Sequence, residues 1–278
     1  GCNIVAGDWD FTFAIELYLR EKTVRRINRH RLPEQRLHFA SRYRIVRRIL
    51  EHCRQLLPKD VAVYVHFDSW YASARLLKYI RRQGWHATCR VRANRNISGK
   101  RIDQRALAQR HRRYVYVDIS ATDGTKTSYL VRQMTGRLRK VPFTVRGLVS
   151  RRHYRDPLPV YFVSTDLSLA PQSALQQYAM RWNCEVDNWY LKERLGLADF
   201  RLQSYEAIDK FCAVVHLSWA YVQWRLACSS PSQAQNPADV IRQHRDEHAR
   251  DWLIGACQEA LDTGDIASVL QRYLRQAV

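Results

Sequence analysis

Apolar positions along the chain follow two periods, and the change from one to the other marks out its parts. "FTFAIELYLR" (11–20) alternates and reads as a strand. "SRYRIVRRILEHCRQLL" (41–57) repeats at helical spacing through Ile45, Ile49, Leu50 and Cys53, and "PKD" ends it. "VAVYVHFD" (61–68) is a short β-branched and aromatic run with an acid at its end. "SWYASARLLKYIRRQGW" follows as a helix opened by a capping-type serine and closed at Gly84, and "HATCRVRAN" is a strand again. Strand, helix, strand in that order predicts two parallel strands joined by a right-handed crossover.

From about 96 to 165 the pattern turns β-rich. "RRYVYVDIS", "TKTSYLVRQM", "VPFTVRGLVS" and "LPVYFVST" are strand-like, and "ATDGTK", through Asp123 and Gly124, predicts a hairpin between the first two. After "STD" the chain is helical. A helix is expected over about 170–195, and "SYEAIDKFCAVVHLSWAYVQWRLAC" (204–228) is apolar nearly all round, which predicts a buried one. "SSPSQAQNP" (229–237) reads as a linker, and "ADVIRQH" and "IASVLQRYLRQ" as one or two short amphipathic helices. The segments therefore run 1–95, 96–165 as a β-rich insertion, 166–228, and a tail from 229 to 278.

Charge changes this picture more than composition does. The chain has 278 residues and carries 46 Lys and Arg against 26 Asp and Glu, a formal charge of +20. Such a surplus points to a polyanionic partner, nucleic acid first, because neutralising phosphates releases counterions. No stretch approaches the roughly 20 apolar residues of a membrane span, and the N-terminus lacks a signal-peptide pattern, so a cytoplasmic protein is expected. The seven cysteines form no CxxC pair and are read as reduced, small core residues.

Two places can carry chemistry. Asp68 ends a hydrophobic strand where open α/β sheets place ligands, although an N-cap role explains an acid there equally simply. His66 shares its face of the strand, where a core histidine is the plainer reading. The second place is "YAMRWNCEVDNWYLKERLGL" (178–197), with Tyr178, Arg181, Glu185 and Lys192 at offsets 0, 3, 7 and 14. At about 100° per residue, offsets 3, 7 and 14 fall at roughly 300°, 340° and 320°, so the four share a stripe about 60° wide. A solvated face gives the same arithmetic. A carboxylate flanked by Arg and Lys is also a competent ligand for a hard cation. Two acids from distant segments of a basic protein suit phosphodiester chemistry on paired Mg²⁺ ions, which ordinarily takes a third acid.

These residues resemble a known family. Y-x2-R-x3-E-x6-K, realised as Tyr178, Arg181, Glu185 and Lys192, is similar to the signature of bacterial insertion-sequence transposases of the DDE class. "VYVHFDSWYAS" and "RVRANR" resemble the segment of that group's second catalytic Asp and the strand after it. "YFVSTDLSL" and "RLQSYEAIDKF" resemble the flanks of the signature helix, and the resemblance runs from about 11 to 228.

It implies an α/β fold: a ribonuclease-H-like mixed sheet flanked by helices, with a β-rich insertion before the last catalytic helix. It also implies that Asp68 and Glu185 are catalytic and bind metal, two Mg²⁺ or Mn²⁺ ions. By the same resemblance, Tyr178, Arg181 and Lys192 contact DNA. The implied reaction is cleavage and strand transfer at transposon ends, by a homodimer on double-stranded DNA, with no membrane, in the bacterial cytoplasm at the nucleoid. The group's first Asp lies on an early strand. Only Asp8 and Asp10 precede "LYLR" here, so the expectation is a chain lacking its N-terminal part. Asp118 and Asp166 are expected to be structural. The clusters "RRQGWHATCRVRANR", "RHRR" (110–113) and "RRHYR" (151–155), with Trp85 and Tyr154 among them, are the expected basic surface. A catalytically inactive DNA-binding remnant and a ribonuclease-H-like nuclease of another pathway remain the alternatives. The second gives no reason for the Tyr, Arg and Lys companions.

Overall fold

The structure is a computed structural model and describes residues 1–7, 9–109, 113–120, 124–199, 201–230 and 233–276. The chain divides into two compact units, one of residues 1–3 and 13–189, the other of 4–12 and 190–278. The first unit is built on a six-stranded mixed sheet flanked by helices, the architecture of a ribonuclease-H-like fold.

In that unit α1 (Glu21–Asn28) precedes α2 (Arg42–Leu56), whose cap is the Ser41 side chain accepting from the Arg44 amide. β3 (Tyr64–Phe67), α3 (Ala74–Arg82) and β4 (His86–Val91) form the expected unit, with β3 and β4 parallel in the register His66↔Thr88. The capping serine is Ser73, whose Oγ accepts from the Leu76 amide, so residues 69–72 stay outside the helix as a loop leaving Asp68. Leu76, Leu77 and Ile80 of α3 are buried, and Gly84, at φ +79°, supplies the left-handed turn into β4.

The β-rich residues 96–165 continue the same sheet. A small hairpin, β5 (Asn96–Ile97) and β6 (Lys100–Arg101), leads into α4 (Ile102–Ala108). β7 (Val115–Ser120), β8 (Lys126–Arg137), β9 (Thr144–Arg151) and β10 (Val160–Ser164) are antiparallel, and β10 pairs with β4 in the register Phe162↔Arg90. The strand order is β3-β4-β10-β9-β8-β7. The expected hairpin joins β7 to β8 with Ser120 opposite Lys126; Gly124 takes φ +81° in its turn, and residues 121–123 lie outside those described.

Strand alternation gives the sheet two buried faces. On one, Val117, Val131, Leu148 and Phe162 pack against Ala174 and Leu175 of α5 (Pro171–Ala179). On the other, Ile97 and Ile102 lie over Gly147. The β5–β6 turn, Ser98 (φ 48°) and Gly99 (φ 82°), has both loop residues at positive φ, as a tight hairpin of the primed type requires.

The second unit pairs β1 (Cys2–Ala6) with β2 (Trp9–Ala14) and holds α7 (Tyr205–Cys228), α8 (Pro237–Thr263) and α9 (Ile266–Gln276). Thr12 fixes the strand to α7: its hydroxyl accepts from Trp219 Nε1 at 3.0 Å, and its amide donates to Gln223 at 2.9 Å. Two expectations are corrected here. α7 buries one stripe (Cys212, Val215, Trp219, Val222) and leaves Val214, Leu217 and Trp224 exposed, because the hairpin and α8 cover one side only. The tail is also not a pair of short helices. α8 runs 27 residues from its Asn236 cap to Gly264 in the left-handed conformation. No helix among the described residues is long and apolar enough to cross a membrane. Of the cysteines, Cys53, Cys89 and Cys212 are buried and Cys228 and Cys257 exposed, so the core reading holds for part of the set.

The tightest approach in the sheet gives a test. A Cβ on Gly136 would lie 2.5 Å from Ile97 Cγ2 and 2.5 Å from Ser98 Oγ. Gly136→Ala is expected to destabilise the chain by about 1–3 kcal/mol through overpacking, read as a lower urea midpoint with an unchanged slope.

Candidate active site

The expected single helix over 170–195 is broken. α5 ends at Ala179, a 3₁₀ turn occupies Met180–Trp182, and α6 (Asn183–Glu193) follows. Uniform helical arithmetic therefore does not carry from Tyr178 to Glu185, since a 3₁₀ turn advances about 120° per residue against about 100°. Three of the four signature residues nevertheless touch in series. Arg181 lies over the Tyr178 ring at 5.6 Å to the centroid, and its Nη1 donates to Glu185 Oε1 at 2.6 Å. Arg181 is the linker of the three and is itself half-buried, with its Nε enclosed. Lys192 is exposed in the last turn of α6.

Tyr178 anchors this series to the sheet. Its ring meets Phe162 of β10 edge-on at 4.8 Å and His66 of β3 edge-on at 6.4 Å. Burial pushes the Tyr178 hydroxyl above the ordinary phenol range, against the pull of Arg181 and of the exposed Arg90 on β4. His66 is half-buried as a residue, but its Nδ1 is enclosed without a partner. Burial lowers its pKa to about 4, against a backbone hydrogen bond at Thr88 that favours the charged form. His66 is thus a neutral packing residue between Tyr178 and the strand end, in keeping with the core reading.

Two residues beyond His66, Asp68 ends β3 and is half-buried. Its Oδ1 accepts from the Trp70 amide at 2.8 Å, which holds the loop and leaves Oδ2 without a hydrogen bond among the described residues. Asp68 does not cap α3, which Ser73 does. Glu185 is exposed, with 42% of its side chain accessible. A buried acid on α6 escaped the sequence reading: Asp187 accepts from Asn3 Nδ2 at 2.7 Å. Its spacing from Glu185 gave no signal, because a two-residue offset puts it on another face of the helix.

Of the first-acid candidates, Asp8 lies outside the described residues, and Asp10 is half-buried on β2 in the other unit. No three His, Cys, Asp or Glu among the described residues are grouped so as to hold a metal ion. Asp118 accepts from Ser128 Oγ at 2.6 Å within the β7–β8 ladder. In the basic clusters, Trp85 is a core residue, Tyr154 is exposed and packs edge-on against Tyr114, and residues 110–112 lie outside those described. Sequence reading also passed over Arg42, which reaches from α2 to lie over the Trp70 ring with no fixed spacing to mark it.

Comparison with known proteins places the chain. Residues 28–221 match the family model described as transposase DDE domain. The chain belongs to this family. By membership it is a transposase-family protein of the nuclease-type class, with DNA as the implied partner. No match was found among curated proteins.

Asp166 holds the loop between β10 and α5. It is buried and accepts from the Ser168 hydroxyl at 2.6 Å, the Ser168 amide at 2.8 Å and the Tyr64 hydroxyl at 2.9 Å. Burial alone would raise its pKa, but these donors outweigh it and hold it down at about 2, from 3.8. A depressed carboxylate pKa stabilises the fold above the unfolded value and loses that stabilisation as pH falls through the folded one. Asp166→Asn is expected to cost about 2 kcal/mol near pH 7 and roughly half of that at pH 3, measured from urea midpoints of both proteins at the two pH values.

Proposed function

We propose that the chain performs metal-dependent DNA strand cleavage and strand transfer at transposon ends, with Asp68 and Glu185 as the catalytic carboxylates. The supporting observation is the continuous series Glu185–Arg181–Tyr178–His66, which ends two residues from Asp68. It runs from the helix carboxylate to the strand that carries the other acid.

The donor set fits a hard divalent cation. Asp68 has an oxygen free of the loop contact, and Glu185 is exposed, so both offer carboxylate oxygens of the kind Mg²⁺ and Mn²⁺ take. Asp68 and Glu185 would hold the ion, and a bound ion supplies Lewis-acid activation of the attacking water or 3′-hydroxyl and stabilises the leaving oxygen. The protein's own groups do the rest. Arg181 orients Glu185 through the 2.6 Å hydrogen bond, and its guanidinium charge is available to a phosphate beside the carboxylate. Tyr178 fixes Arg181 from below through its ring and through its wedge against Phe162. The exposed Lys192 and Arg90 add backbone-directed positive charge, which binds any sequence and weakens with salt. Double-stranded transposon ends and target DNA are the substrates, handled by a homodimer.

The second reading is DNA binding without chemistry, for which the formal charge of +20 is sufficient without calling on any carboxylate. One experiment separates the two. The purified chain is incubated with labelled DNA carrying the element's ends and Mg²⁺ or Mn²⁺, and nicked and joined products are resolved on a denaturing gel. Asp68→Ala and Glu185→Gln are each expected to lower product formation by roughly 10²–10³-fold. They should also weaken Mn²⁺ binding measured by electron paramagnetic resonance, while leaving duplex affinity within about threefold. Undiminished products in both variants would sink the assignment of these acids. DNA binding without any product from the unaltered chain would establish the second reading.

A further inference from the structure

We propose that Cys2 and Cys53 are a modification site: two thiols that a peroxide converts to a disulfide, tying the segment that holds α6 to α2. Neither residue takes part in the carboxylate site, so the strand-transfer reading is tested separately.

Residues 1–3 belong to the same compact unit as residues 13–189, and their side-chain contacts show what keeps them there. Cys2 reaches α2, where its thiol shares a hydrogen bond with the thiol of Cys53. Cys53 completes the buried stripe of Ile45, Ile49 and Leu50 on that helix, so packing fixes its direction. Asn3 reaches α6, on either side of Glu185 in sequence. Its Nδ2 donates to Asp187 Oδ2 at 2.7 Å, and its backbone amide donates to the sulfur of Cys184. Two consecutive residues therefore bridge α2 to the helix that carries Glu185.

An enclosed thiol is ordinarily inert, because burial disfavours the thiolate. Cys89 and Cys184 follow that rule, pushed up by burial to about 12 and about 11. Cys53 goes the other way. The hydrogen bond from Cys2 holds it below the ordinary thiol range in spite of burial, while Cys2 itself is pushed up. The pair thus gives up its first proton readily and its second with difficulty, as coupled groups do. A thiolate in contact with a second thiol is what oxidation to a disulfide requires. Cys2 is half-buried, which gives a small uncharged oxidant a way in, whereas Cys53 is buried. No three metal-ligating side chains are grouped here among the described residues, so the pair fits oxidation better than metal binding.

The step balances with hydrogen peroxide as the oxidant. The thiolate attacks one peroxide oxygen, the O–O bond breaks, and hydroxide leaves and takes up a proton, giving a sulfenic acid. The second thiol attacks that sulfur. The S–S bond forms, and the sulfenic oxygen departs as water with the thiol's proton. Each sulfur loses one electron, and the peroxide is reduced to two waters.

The purified, reduced chain is treated with a small excess of hydrogen peroxide. Remaining thiols are blocked with iodoacetamide in denaturant, and the unreduced peptides are mapped by mass spectrometry. A link between the peptides of Cys2 and Cys53 within one molecule is expected, removed by dithiothreitol. The oxidised chain should melt about 5–15 °C above the reduced one, because a cross-link between residues far apart in sequence restricts the unfolded chain. Cys2→Ser should abolish both the link and the peroxide-dependent rise in melting temperature. Since Cys2 is only half-buried, this variant should keep the reduced chain's circular dichroism. Cys2 and Cys53 both recovered in blocked form from the peroxide-treated unaltered chain would overturn the proposal, as would a link from either to Cys184 in its place. A rise in melting temperature that survives Cys2→Ser would overturn it too.

Discussion

β4 is hydrogen-bonded on both sides, and everything at the candidate site depends on that. Its neighbour β3 arrives from 22 residues earlier by a local crossover, and β10 from about 70 residues later in the antiparallel sense. Ala87, Thr88 and Cys89 are fully buried between them. The exit of β10 is tied to β4 by the Ala87 amide donating to Thr165 Oγ1 at 2.8 Å, with the Thr165 amide returning to the Ala87 carbonyl at 2.9 Å. Two segments far apart in sequence thereby leave the sheet at opposite ends of β4, and α5 runs back so that Tyr178 meets Phe162 and His66. One carries Asp68 and the other starts the helix that bears Tyr178. Buried backbone pairing of this kind leaves little freedom of register, because slipping a strand by one residue would turn its whole apolar set to the wrong face.

Electrostatics is arranged on top of that frame. In a chain of net charge +20, an exposed carboxylate has cations nearby almost anywhere, so proximity to Arg carries little information. The distinction lies in how the cation is held. Arg181 is enclosed at Nε and lies over a half-buried phenol, whereas pairs such as Arg25–Glu21 or Arg47–Glu51 are solvated on helix surfaces and worth little. A guanidinium fixed by packing keeps its direction when its carboxylate partner is taken up by something else. A solvated one does not.

Sequence periodicity revealed the local units well. The β3–α3–β4 crossover, α2 with its Ser41 cap and the strands of residues 96–165 follow from apolar spacing, because each forms contacts with near neighbours. What could not be read was partnership. The register Phe162↔Arg90, which joins the β-rich residues 96–165 to β4, leaves no mark in the spacing of either strand. The exposed stripe on α7 looks buried because hydrophobicity says what a side chain prefers and not whether the chain has enough surface to cover it. At the site, Tyr178, Arg181 and Glu185 were legible as one group from their spacing. Trp70, Arg42 and Arg92 were not, since they converge from three segments through contacts only tertiary structure creates.

The 3₁₀ turn at Met180–Trp182 solves a problem of direction that the spacing alone conceals. On an uninterrupted helix, positions seven apart point almost the same way, so Tyr178 and Glu185 would both face the sheet or both face water. Three residues of tighter winding move the angle between them only from about −20° to about +40°, so rotation alone does not turn them apart. The phenol wedges against Phe162 while the carboxylate stands in solvent, one helix further along the chain, and Arg181 spans the two from within the turn. The break acts as a joint: the anchor belongs to one helix and the outward group to the next.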